Sequence, residues 1–271
     1  MMRRYGCAHV HGTMTRPLHI GLLSAMPEEI GSDLGHLDTV GEQHHGDLTL
    51  HRCFWRVADA APVQLTLAWS GWGKVCAARA ATRLLASAPD DAPIDLLLFT
   101  GVAGAADPDL KQWDLVLASE VIQHDMNASP LFPKFTLPPL NRDRLQPRPE
   151  WLAWAQATLE QAHQAGALDA FGTPRPGLVA TGDQFIGDPM VLSDLRRDLP
   201  DLQAVEMEGA AVAQVAEQEG IPWLVLRVIS DSADDDAAES FTDFVQRYER
   251  CAWQLVEALL RGEQGAPGRC R

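Results

Sequence analysis

Two rhythms of apolar and polar positions alternate along this chain. Apolar runs of strand length recur at residues 18–23, 48–57, 63–69, 95–99, 114–118, 177–181 and 223–229. Each is short and bounded by glycine, proline or polar turn residues, which predicts strands. The turn between the second and third is expected at residues 59–62. Between other runs the spacing changes to three and four, which predicts helices. One is alanine-rich, at 75–87. Another, at 150–166, repeats Trp151, Leu152, Ala155 and Leu159. A third follows Glu208, and a last one is expected over 240–261, with Phe241, Phe244, Val245, Tyr248, Trp253, Leu255 and Leu259 as packing positions. Pro27, Glu28 and Glu29 follow the first strand and predict a first helical turn, where proline and negative charge are both favoured. Residues 100–104, Thr-Gly-Val-Ala-Gly, predict a turn directly after a buried strand. Residues 129–149 are proline-rich and lack a period, as in a surface excursion.

Strands alternating with helices predict an α/β fold, three layers α/β/α around a central mixed, twisted sheet. One domain spans residues 18–261. Residues 1–17 read as a disordered extension and 262–271 as a flexible tail.

The 271 residues are 46% hydrophobic, ample for a large core. A net charge of −15 and a pI of about 4.9 disfavour nucleic acid and anionic membranes as partners, since both select basic surfaces. No apolar run reaches the ~20 residues of a membrane helix. The arginines near the start are not followed by the apolar run of a signal peptide. Cys7, Cys53, Cys76, Cys251 and Cys270 form no C-x-x-C pair, which fits unpaired thiols in a reducing cytoplasm. Zinc spacings, a Walker loop and a G-x-S-x-G elbow are absent from the sequence. The run Asp234-Asp235-Asp236 lacks ligand spacing and reads as a solvated loop. No metal or cofactor is called for.

Candidate chemistry concentrates in residues 204–231, AVEMEGAAVAQVAEQEGIPWLVLRVISD. Glu206 and Glu208 begin a helix. Arg227 lies within an almost wholly apolar strand that ends on Ser230-Asp231. Charges on buried elements are costly unless paired or used, and strand ends are where α/β sheets bind ligands. Elsewhere the residues leave alternatives open. Glu28 and Glu29 either compensate a helix dipole or face a site. Lys74, after Gly71 and Gly73, is a phosphate ligand or a solvated lysine. His124-Asp125 is a general-base pair or a structural one. Phe185, just past a strand end, packs or stacks on a base.

The segments IGLLSAMPEEI, SGWGKV, TGVAG, TGDQFI, AVEMEGAAVA and VLRVISD resemble, in this order, the methylthioadenosine/S-adenosylhomocysteine nucleosidases of the nucleoside phosphorylase superfamily. The resemblance covers residues 18–260. It implies a nucleoside phosphorylase/hydrolase-like fold that hydrolyses the N-glycosidic bond of a 5′-substituted purine nucleoside, releasing adenine. Asp231 would be the general acid protonating N7 of the leaving adenine, and Glu29 the base activating water. Glu208 would accept the ribose hydroxyls, with the Met207 backbone and Arg227 beside it. Glu206 would orient Arg227 or the water. Phe185 would stack on the purine and the Ile186 backbone would read its edge. Met26, Trp72 and Phe241 would surround the 5′-thioether, while Val102, Ala103, Gly104 and Ser230 would line the same site. The family also implies a homodimer, with Leu131, Phe132 and Phe135 available to close over the partner's site.

The chemistry needs such a set. An N-glycosidic bond breaks through an oxocarbenium-like sugar, so an acid must meet the base and a carboxylate must activate water on the opposite face. Three departures stand out. Val102 replaces a serine whose hydroxyl would contact the catalytic aspartate, Trp72 replaces a smaller aliphatic residue, and Pro27 replaces an acid. Three further readings follow: a phosphate-dependent purine nucleoside phosphorylase, a hydrolase of another nucleoside such as futalosine, and a non-catalytic nucleoside-binding protein.

Overall fold

The computed structural model describes residues 16–31, 34–56, 61–233 and 237–268. Residues 1–15 of the expected extension, residues 59 and 60 of the expected turn at 59–62 and the acidic run Asp234-Asp235-Asp236 lie outside the described residues.

Among the described residues ten strands form one mixed sheet: β1 His19–Ser24, β2 Asp38–His45, β3 Leu48–Trp55, β4 Val63–Trp69, β5 Leu96–Ala105, β6 Leu115–Gln123, β7 Arg144–Leu145, β8 Arg175–Thr181, β9 Leu202–Glu206 and β10 Trp223–Asp231. Among the described residues six helices accompany them: α1 Lys74–Ala86, α2 Pro149–Gln164, α3 Pro189–Asp198, α4 Gly209–Glu219, α5 Ala237–Tyr248 and α6 Ala252–Arg261. The strand order is β10-β6-β8-β9-β5-β1-β4-β3-β2, and β10 also pairs with β5. The first five strands of that order therefore close on themselves, and the other four extend from β5 as an open wing. This closure was not foreseen from the sequence, because an apolar run does not reveal that its strand has two neighbours that also meet through a third.

Alternation along the buried strands feeds two cores. In β5, Leu96, Leu98 and Val102 join the cluster that holds residues of α2, α5 and α6. Leu97, Phe99, Ala103 and Ala105 join the cluster that holds α1 and α4. β10 divides in the same way, with Leu224, Leu226 and Val228 on one face and Trp223, Val225 and Ile229 on the other. Ala77, Ala80, Ala81 and Leu84 make the buried stripe of α1, the i, i+3, i+4, i+7 pattern of an amphipathic helix. A third, smaller cluster packs beneath α3.

Several expectations are corrected. The glycine-rich stretch 100–104 is not a turn: it continues β5 to Ala105. The expected last helix is two, α5 and α6, broken at residues 249–251. Phe244 and Tyr248 dock against Trp113, whereas Leu255 and Leu259 serve the face shared with α2. Both halves feed the same core cluster, and no glycine or proline marks the break. Residues 262–268 do not leave the fold as a tail; Glu263 and Ala266 are buried and the Trp154 indole donates to the Gly262 carbonyl at 2.9 Å. Phe135 is buried in this chain's own third cluster, while Leu131 stays exposed. Strand β2 lacks an apolar alternation and α3 buries only Leu195, so neither stood out in the sequence. Among the described residues, no helix is long and apolar enough to cross a membrane.

Candidate active site

The carboxyl ends of β1, β5, β8, β9 and β10 surround a cleft of about 550 Å³, counting the part open to solvent. Every residue to which the resemblance assigned a place in the substrate site lines it except Arg227, whereas among the residues left open above Glu28, Lys74, His124 and Asp125 do not. The cleft also includes Ala25, Gln184 and Val205, which the sequence did not single out.

Glu29 closes a one-turn 3₁₀ helix, Pro27–Glu29. It is not on the surface compensating a dipole. It is buried, and its carboxylate accepts the amides of Ala25 at 2.8 Å, Met26 at 3.0 Å and Val102 at 2.9 Å. This is possible because residue 101 is glycine: a Cβ there would lie 2.3 Å from Glu29 Oε1 and 3.0 Å from Arg227 Nη1. Burial pushes the Glu29 carboxyl up, against the pull of Arg227 and the three amides.

Arg227 stands opposite Gly101 in the β10–β5 register. It is 1% exposed and lies behind the cleft wall rather than in its lining, where the resemblance had placed it beside Glu208. Its guanidinium lies over the Phe99 ring, 4.2 Å from the centroid, and pairs with Glu206. Burial opposes its charge; Glu206, Glu29 and Glu208 together outweigh that cost.

Glu206 ends β9 and turns back onto the start of α4. It accepts the amides of Glu208 at 3.1 Å and Gly209 at 2.8 Å, together with the Thr181 hydroxyl. A carboxylate at a helix start satisfies donors that have no partner inside the helix. Glu208 is the next acid on the same turn. One oxygen accepts the Gly73 amide at 2.7 Å. Burial, and then the nearby Glu206, push its carboxyl up to about 8, against the Gly73 amide and Arg227.

Asp231 is placed by an irregularity. The register of β10 against β5 shifts between Ile229 and Asp231, so Ser230 is inserted as a bulge, which re-aims the following side chain. The Ser230 hydroxyl lies 2.7 Å from Asp231 Oδ2, and the Ala233 amide donates to Oδ1 at 2.9 Å. Val102, without a hydroxyl, presents an apolar side chain to the same cleft.

The mouth is aromatic. Phe241 meets Trp72 edge-on at 6.2 Å and Phe185 edge-on at 5.8 Å. Lys74 is neither free in solvent nor in the cleft: its ammonium pairs with Asp125 at 2.6 Å. His124 and Asp125 therefore do not act as a base pair at the cleft. Among the described residues no group of three or more metal-ligating side chains exists.

The model of the phosphorylase superfamily matches residues 19–261. A 5′-methylthioadenosine/S-adenosylhomocysteine nucleosidase of Marinomonas sp. (strain MWYL1) is 31% identical over 243 residues, 90% of this chain and 98% of that protein. The chain belongs to the methylthioadenosine/S-adenosylhomocysteine nucleosidase family of the phosphorylase superfamily. Another nucleosidase of that name, from Geobacillus kaustophilus, is 36% identical over 200 residues, covering 73% of this chain and 80% of its own length. The Neisseria meningitidis nucleosidase solved in complex with methylthio-immucillin-A has a TM-score of 0.78 at 26% identity, covering 90% of this chain and 98% of that one. Futalosine hydrolase of Helicobacter pylori has a TM-score of 0.77 at 29% identity, covering 90% and 97%. The nucleosidase family thus shares its fold with a hydrolase of a different nucleoside.

Proposed function

We propose that this protein hydrolyses the N-glycosidic bond of 5′-methylthioadenosine or S-adenosylhomocysteine and releases adenine. The observation that carries this reading is the polarity of the cleft: Glu29, Glu206, Glu208 and Asp231 line it, and no lysine or arginine does, among the described residues. A lining of that sign repels phosphate and suits water as the acceptor.

In this reaction Asp231 protonates N7 of the departing adenine, held by the Ser230 hydroxyl and the Ala233 amide. Glu29 takes a proton from the water that attacks C1′ of the sugar cation. Its amide donors stabilise the carboxylate, and burial keeps it basic enough to accept the proton. The Glu208 oxygen not bound to Gly73 accepts from the ribose hydroxyls. Arg227 balances charge from behind and orients Glu206, and Glu206 fixes the turn that carries Met207 and Glu208. Phe185 stacks on the purine and Ile186 offers its backbone to the base edge. Met26, Trp72 and Phe241 enclose the 5′-substituent, and Val102, Ala103 and Gly104 form the wall. No metal or cofactor enters.

Adenine release from both nucleosides, with and without phosphate, tests this. Equal rates are expected; a rate that vanishes without phosphate sinks the hydrolase reading. Trp72 and the futalosine hydrolase likeness favour a second reading, a hydrolase of a nucleoside with another 5′-substituent. A substrate panel varied only at the 5′ position separates the two. We also infer a homodimer in the cytoplasm, supported by Leu131, Val75 and Met190, each more than three-quarters exposed; a monomer by mass in solution overturns it. A three-layer arrangement is supported by the two cores on the two faces of the sheet.

A further inference from the structure

Three residues outside the cleft form a closed ring of bonds. The Lys74 amide donates to Asp183 Oδ1 at 2.7 Å. The Asp183 amide donates to Asp125 Oδ2 at 3.0 Å. The Lys74 ammonium returns to Asp125 Oδ1 at 2.6 Å. These residues come from three separate elements: the start of α1, the turn after β6 and the loop after β8. Asp183 is two residues before Phe185, and the Gly182 amide ties the same loop to the Glu206 carbonyl at 3.1 Å.

The ring joins the cleft through one peptide. Gly73 and Lys74 are consecutive, and their amides hold Glu208 and Asp183 respectively. Two carboxylates thus share the positive end of one helix, and the spacing between consecutive residues, about 3.8 Å, sets the distance between their anchors. Gly73 has φ +89°, and a Cβ there would come within 3.0 Å of Asp183 Oδ1. The backbone is shaped for this contact. Burial alone would raise the Asp125 carboxyl; the Lys74 ammonium and the Asp183 amide outweigh it and hold it below its ordinary value. Lys74 also reaches Gln123 at 3.3 Å, and Gln123 bonds Gln214 of α4 at 2.7 Å. The ring is therefore braced against α4, the helix that begins directly after Glu208.

We propose that Lys74, Asp125 and Asp183 are positioning residues that fix the Phe185 loop relative to Glu208, and so set the distance between the base-stacking and ribose-binding parts of the site. The inference rests on the reading of Phe185 and Glu208 under the proposed function. The ring touches no reacting atom, so its loss weakens binding of the base without slowing the chemical step in proportion.

The test compares the parent with Lys74→Met, Asp125→Asn and Lys74→Arg. Adenine affinity is measured by titration calorimetry, and KM and kcat with methylthioadenosine. Lys74→Met and Asp125→Asn are expected to weaken adenine binding and raise KM by about tenfold each, with kcat changed less than threefold and Tm held within a few degrees. Combining them should add little, because each breaks the same ring. Lys74→Arg should restore most of the affinity. Unchanged adenine affinity in Lys74→Met and Asp125→Asn overturns the proposal, as does a fall in kcat at constant KM or a loss that only tracks Tm. A parent that fails to bind adenine overturns it outright. A parent that binds adenine but turns over no nucleoside sinks the hydrolase reading, and adenine titration of the variants still decides the role of the ring.

Discussion

At the floor of the cleft, Glu29, Glu206 and Glu208 are buried, and each is held by at least one backbone amide. At its mouth, Trp72 is 54% and Phe185 41% exposed, and the rings meet mainly one another. Floor and mouth handle opposite problems. Buried carboxylates are stable only where donors and a counter-charge surround them, so the floor draws on β1, β5, β9, β10 and the starts of two helices. Aromatic rings tolerate partial exposure and need no fixed partner, so the mouth can vary without disturbing the sheet. The reaction type belongs to the floor, and the choice of nucleoside to the mouth.

Substitutions at the floor should have the largest effect. Asp231→Asn and Glu29→Gln are each expected to lower kcat by about 10²–10⁴-fold, the usual contribution of a positioned acid or base, measured as adenine release. A loss below tenfold at either would remove that residue from the chemistry. Arg227→Met should destabilise by about 3–5 kcal/mol in urea unfolding, since it strands Glu206 and Glu29 without their shared cation. Near-parental stability there would mean that the amides alone suffice.

The same crowding gives a pH signature. Glu208 has its carboxyl raised from an ordinary 4.5 to about 8, so between these values the folded protein binds more protons than the unfolded one. Its contribution to stability is full below pH 4.5 and is lost as pH rises through 8, with a slope of up to about 1.4 kcal/mol per unit. Glu29, also raised, acts in the same direction. Unfolding of the unliganded protein across pH 5–9 should show the decline, and Glu208→Gln should flatten it; a parallel decline in the variant assigns the slope elsewhere.

At the mouth the effects should be smaller. Phe185→Ala is expected to raise KM through loss of stacking, about 1–3 kcal/mol, with stability changed by under about 0.5 kcal/mol. Trp72→Val should leave adenine affinity unchanged and shift the preference among 5′-substituents a few-fold. If Trp72→Val instead abolished turnover, the division between floor and mouth would fail.

Much of the site was legible in the sequence because its acids stand at strand and helix ends, where an apolar element makes a charge conspicuous. Arg227 is such a case, visible inside an apolar strand; its partner Glu206 was indicated only through the family resemblance, and its place behind the wall was not legible at all. The Glu28-Glu29 pair shows the limit: both suit a first helical turn, so local pattern could not separate them; the resemblance pointed to Glu29, and its contacts with residues 25, 26 and 102 set it apart physically. Lys74 and Asp125 were noticed singly but not as partners, because the ring joins residues 51 and 58 positions apart.

The local pattern by itself determined the buried strands, most helices, the acidic turn before α4 and the family, since these depend on period, capping and short motifs; β2 and β7 carry no such pattern. Tertiary structure alone decided the closure of β10 onto β5, the continuation of β5 through its glycines, and the Ser230 bulge that aims Asp231. It also decided the two anchors at the start of α1. Each of these depends on which distant backbone lies within hydrogen-bonding reach, and that distance is set by packing rather than by neighbours in sequence.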